Sequence, residues 1–208
     1  MSGPIPAGWL RPETGTWYRA IQTHFLSTPL STAHTATVSS RFSGATLASP
    51  GFEILYLAEN HLVALFEVGA LLGSPATPGG AIPSPHSPWT LLNVSIHLQK
   101  VVDLTDPARQ QHLATTAQEL TGDWRGYQLR GLRGTVNLPV GLAPTQTLGR
   151  SLHAQPGLEG FLTLSARVPY HKILVVFPKK LAARSHLSWH NPVTGKTESI
   201  PAKLKSVS

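Results

Sequence analysis

Glu53-Ile54-Leu55-Tyr56-Leu57-Ala58-Glu59-Asn60-His61-Leu62-Val63-Ala64-Leu65-Phe66-Glu67 reads as a buried strand that runs directly into a helix. Residues 53–58 form a short apolar run rich in strand formers. Asn60 carries a helix N-capping side chain, and the apolar residues beyond it predict a helix from about His61 to Leu72, ending at Gly73. Glu67 therefore belongs to a helix that follows a strand. Between Asn60 and Gln99, forty residues in all, it is the only formally charged side chain, and Arg41 is the sole formal charge between Ala20 and Phe52. A charge isolated on an apolar element is usually partnered or functional, because burying it alone is costly.

Outward from this unit, residues 74–90 hold five prolines and Gly79-Gly80, a composition that predicts a long loop. Leu92 to Leu98 alternates apolar and polar positions, as a half-buried strand does, with Val101 to Leu104 extending or following it. Asp106-Pro107 opens a helix predicted to reach about Leu120, before Gly122, and another helix is expected from Thr145 to Ala154. Leu158–Ser165, Ile173–Phe177 and His186–His190 read as strands, and 201–208 as a flexible tail. Strands and helices in this order predict an α+β fold in one domain spanning 1–208, with its core at about 15–180.

Composition narrows the function. With 208 residues, 41% hydrophobic and 13% charged, the chain is a folded protein rather than a disordered one. It has no cysteine, which excludes disulfides, thiolate metal sites and a cysteine nucleophile. No apolar run approaches the roughly 20 residues of a membrane span, so a cytoplasmic location is expected. The net charge of +7 is uneven: residues 1–104 carry 4 Lys/Arg against 5 Asp/Glu, residues 105–208 carry 13 against 5. The second half attracts anions, or is simply a solvated basic face. Phosphate-loop, dinucleotide-fingerprint and nucleophile-elbow motifs are absent, and His186 and His190, four apart outside any helix, make a poor metal pair.

An ordered series of short segments remains. Tyr18-Arg19-Ala20, Arg41-Phe42-Ser43, Tyr56 eleven residues before Glu67, Val102 to Asp106, Trp124, Thr145-Gln146, and Gly160 to Arg167 ahead of the strand at 173–177 together resemble the RES domain family, named for an arginine, a glutamate and a serine. The resemblance covers most of the chain. It departs at Phe42 and Ser43, where the family often has Trp and Asn, at the fifteen-residue gap from Arg41 to Tyr56, and at His171-Lys172. It implies an ADP-ribosyltransferase-like fold of twisted sheets with flanking helices. The implied activity is that of an NAD+-degrading toxin of a toxin–antitoxin pair, with an Xre-like antitoxin as partner. NAD+ is then a substrate and not a cofactor, water or inorganic phosphate is the acceptor, and no metal is called for. Carried over by position, the catalytic residues are Glu67, Arg41 and Tyr56, and the substrate-binding residues are Arg19, Tyr18, Ser43 and Ser165.

That chemistry suits these side chains. Cleaving the nicotinamide–ribose bond develops positive charge on the sugar, which a fixed carboxylate stabilises. Arginines make bidentate contacts to pyrophosphate, a tyrosine ring can stack on nicotinamide, and a serine hydroxyl can orient ribose or phosphate. Alternatives stand beside each role. Glu67 and Arg41 could be a structural ion pair, Tyr56 a core residue, and Ser165 a hydrogen bonder at a strand end. Two rival functions are transfer of ADP-ribose to a macromolecule and a non-catalytic nucleic-acid-binding module built on Arg125, Arg130, Arg133 and Arg150. The second lacks interleaved aromatics and any known motif, so direct nucleic-acid binding is disfavoured.

Overall fold

Strand β2 (Leu55–Ala58) and helix α1 (His61–Glu67) open the description, in a computed structural model that describes residues 4–75, 77–85, 88–129 and 141–201. The Asn60 side chain accepts from the Val63 amide at 2.9 Å, which is the expected N-cap. The helix ends at Glu67, five residues short of the predicted Leu72. Gly69 takes φ +72°, its amide bonds to Phe66 O, and the Ala70 amide bonds to Leu65 O, a Schellman stop that ends the helix at Gly69 and not at Gly73. Leu71–Gly73 (β3) then pairs with Ala81–Pro83 (β4), so the predicted 74–90 loop contains half of a small hairpin.

The remaining strands are β1 (Leu10–Gln22), β5 (Trp89–Asp103), β6 (Gly160–Leu164), β7 (Lys172–Val176), β8 (His186–His190) and β9 (Thr197–Ile200). Strand β5 joins the two segments anticipated at 92–98 and 101–104. Strands β1 and β9 have weak period-2 patterns and were not anticipated. The helix expected from 106 to 120 is two: α2 (Pro107–His112), capped by Asp106, and α3 (Ala117–Thr121), capped by Thr116. Ala114, at φ 51°, separates them. An internal Thr116-Ala117-Gln118-Glu119 start competes with continued helix. Two more helices follow, α4 (Trp124–Leu129) and α5 (Pro144–Ala154).

The sheet order β1-β2-β7-β6-β5-β8-β9, with β1 also pairing β5, closes five strands into a ring. Leu55, Leu57, Leu92, Val94, Leu98, Leu174 and Val176 pack together inside it. On the outer face, Val63 and Phe66 of α1, Leu120 of α3 and Leu148 and Leu152 of α5 cover Phe161, Ile173 and Val175. Each fully buried Leu or Phe contributes about 1.5–3 kcal/mol, so these two cores outweigh any single polar contact. One more buried charge supports the ring. Glu159, fully buried, accepts from the amides of Gln99, Lys100 and Ala182 at 2.6–2.8 Å, so its carboxylate is hydrogen-bonded throughout.

The ring is weakly closed at one seam. β1 pairs β5 over twelve residue pairs but meets β2 at only one, Tyr18↔Ala58. Past that pair the two strands separate. Among the described residues no helix is long and apolar enough to cross a membrane. Arg130, Arg133 and all of the predicted tail except Pro201 lie outside the described residues.

Candidate functional site

A cavity of about 450 Å3 opens where β1 leaves β2, lined in part by Tyr18, Arg19, His34, Tyr56, Glu67 and Arg125. Glu67 reaches it from the last residue of α1. A carboxylate at a helix C-terminus opposes the macrodipole, so other groups must hold it. They do so on one side. Oε1 accepts from Ser165 Oγ at 2.5 Å and from the Ala166 amide at 2.9 Å, whereas Oε2 faces Arg41 Nη2 at 3.7 Å. The Glu67 side chain keeps 22% exposure toward the cleft. A single 3.7 Å contact to a side chain that keeps this exposure is looser than a closed, bidentate ion pair.

Ser165 is buried and works at three points: it donates to Glu67, and its oxygen accepts from the Val168 amide at 2.9 Å and the Arg167 amide at 3.2 Å. These bonds tie the Glu67 carboxylate to the 165–168 turn. Ser165→Ala leaves the Arg167 and Val168 amides without this acceptor and Glu67 Oε1 with the Ala166 amide alone, with an expected cost of about 1–3 kcal/mol in unfolding free energy. Chemical denaturation of the variant against the parent measures it.

Arg41 lies in the 39–43 turn, its side chain 7% exposed, with Nη1 donating to Leu164 O at 3.4 Å and the guanidinium 5.1 Å from the Phe42 ring centre. Two elements fix this turn. The Tyr56 hydroxyl bonds to Ser40 Oγ at 2.9 Å and accepts from the Phe42 amide at 3.2 Å. From α5, the buried Gln146 donates to Ser39 Oγ and Ser40 O, both at 3.0 Å, and Gly149 lies so close that a Cβ there would be 2.0 Å from Phe42 O. Gln146 belongs to the ordered series of segments but carries no role there, and Gly149 is not in it; a Gln and a Gly on an amphipathic helix do not announce contacts to a distant turn.

Tyr56 thus anchors the arginine turn, while its ring also lines the cavity. Burial raises its pKa above the usual phenol value, against the lowering influence of Ser40 and the Arg41 charge, which favours the neutral phenol. Tyr56→Phe keeps the ring and removes the anchor. About 1 kcal/mol of stability should be lost, as read by denaturant midpoint, whereas a ring serving only for stacking predicts no change.

Arg19 stands apart from the Arg41–Glu67–Ser165 group. Its Nη1 is buried without a hydrogen-bond partner, and its pKa is lowered to about 10, first by desolvation and with Glu198 opposing. A buried guanidinium nitrogen without a partner is a vacant anion contact. Tyr18 lines the cleft and meets the His61 ring edge-on at 6.1 Å. Ser43, assigned to substrate binding, is not brought to the cleft. It is buried, its hydroxyl faces Gly51, and its backbone closes the turn with Ser40. Arg125, considered as a nucleic-acid contact, lines the cavity with its guanidinium 5.2 Å from Trp124. His186 and His190 occupy the two ends of β8, roughly 13 Å apart at strand rise.

Comparison with known proteins gives both a family match and a fold match. A family profile described as the RES domain matches residues 16–194. A chain in the crystal structure of the M. tuberculosis MbcT–MbcA toxin–antitoxin complex superposes with a TM-score of 0.59 at 17% identity, covering 91% of this chain and 86% of that one. No curated protein matches by sequence.

Proposed function

This chain belongs to the RES domain family, and on that premise we propose that it cleaves the nicotinamide–ribose bond of NAD+ as a toxin restrained by a cognate antitoxin. The observation that carries the reading is the Glu67 carboxylate: Oε1 is held by Ser165 and Ala166, and Oε2 is left to the cleft beside Arg41. In this reaction the C1′–N1 bond breaks, the electron pair leaves with the pyridine nitrogen as neutral nicotinamide, and positive charge grows on the ribose. No acid is needed for that leaving group. Glu67 Oε2 stabilises the sugar cation, an oxygen of water or inorganic phosphate bonds to C1′, and the proton is lost to solvent. Arg41 and Ser165 keep the carboxylate aimed, and Arg19 offers its unpaired guanidinium to the pyrophosphate.

The proposed antitoxin, of the Xre-like helix-turn-helix type, would act by covering this cleft. The fold's likeness to a chain from a toxin–antitoxin complex supports an antitoxin partner. Incubating the purified protein with NAD+, with and without phosphate, and weighing the products tests the reading. Nicotinamide with ADP-ribose, or with its phosphate ester, is expected. Label from NAD+ retained on protein or nucleic acid would instead favour ADP-ribosyl transfer, and intact NAD+ would remove both.

A further inference from the structure

A second cavity, of about 620 Å3, adjoins the first. Arg19 and His34 line both cavities, so the two are neighbours at a guanidinium that has a buried, unpartnered nitrogen. We propose that this second cavity binds the adenosine half of the dinucleotide, with the pyrophosphate lying at Arg19 between the two; the inference rests on the NAD+ reading above.

The chemistry of the walls sets the direction. Glu67 belongs to the first cavity alone, which therefore takes the cationic nicotinamide end. Among the described residues Arg19 is the only formally charged one lining the second, which suits a neutral base rather than a pyridinium. Phe25 there is 53% exposed, an unusual position for a large aromatic ring, and with Trp89 it offers aromatic surface on which a purine can stack. Gln22, Thr28 and Ser31 supply hydrogen-bonding groups for ribose hydroxyls and base edges. Spacing agrees as well. Trp89 pairs with Gln22, three residues beyond Arg19 on β1 and thus roughly 10 Å away, a reach suited to one ribose and a base.

The test uses two variants at exposed positions, Phe25→Ala and Ala33→Trp; the second fills the cavity from a residue that does not line the first. AMP, which carries the adenosine and one phosphate, is titrated calorimetrically into parent and variants, and KM for NAD+ is measured alongside. AMP should bind the parent and bind each variant about tenfold more weakly, with KM for NAD+ raised by a similar factor. A parent that consumes NAD+ but does not bind AMP, or variants that bind AMP as the parent does, overturns the subsite. A parent that binds AMP through this cavity yet leaves NAD+ intact retains the subsite and removes the cleavage reading.

Discussion

Glu67→Gln is expected to lower kcat for NAD+ cleavage by about 10²–10³-fold, corresponding to roughly 3–4 kcal/mol of lost charge stabilisation in the transition state. The amide is nearly isosteric. Its oxygen can still accept from Ser165 Oγ and the Ala166 amide, so the side chain keeps its place while the charge on the second oxygen is gone. Since only the transition state carries the full sugar cation, the loss should fall on kcat more than on KM. Single-turnover release of nicotinamide is the measurement. Turnover at the parent's rate would return Glu67 to a structural partner of Arg41. The variant should cost little stability, because the contact it alters is one 3.7 Å pair.

Arg19→Leu should have the second large effect, with opposite signs for stability and for binding. The lowered pKa means that folding disfavours the charged guanidinium. For a base whose folded pKa lies near 10, well below its unfolded value, both states are protonated at neutral pH, so the whole penalty is present below pH 10. Stability contributed by this site rises only as pH climbs above that value. Leucine removes the penalty. A gain of about 1–3 kcal/mol is expected, discounted for the loss of attraction to Glu198. For a chain of this size that raises Tm by roughly 2–10 °C. The same substitution removes the proposed pyrophosphate contact, weakening NAD+ binding by about ten- to a hundredfold. A variant that melts below the parent would show that Arg19 is structural. Arg19→Lys should recover only part of the binding, since an ammonium cannot make the planar two-point contact.

Much of the site was legible because charge is conspicuous where everything around it is apolar. Glu67 and Arg41, twenty-six residues apart in the chain, each stand alone in long uncharged stretches, and the fold brings them face to face. The strand–helix unit was legible for a local reason: Asn60 caps the helix with its own side chain. Its end was misread, because the apolar run passes through Gly69 to Leu72 and gives no hint that the glycine at 69 takes the left-handed turn. Ser43 was misplaced for a related reason. Two residues from Arg41 in sequence, it is buried with its hydroxyl against Gly51, and closeness in sequence says nothing about which way a side chain leaves a turn.

By itself the sequence determined what is local: period-2 strands, capped helix starts, an α+β order of elements, and the few polar residues that an apolar core must either pair or use. Tertiary structure decided everything that depends on two distant segments meeting. The cleft exists because β1 and β2 share one residue pair and then diverge, and that register depends on how β1 is committed to β5 over twelve pairs. Likewise, whether Tyr56 stacks or anchors, and whether Arg19 is solvated or buried without a partner, follows from what lies across the cleft. Propensity acts over a few residues, while burial and hydrogen-bond satisfaction are set by the closed ring as a whole.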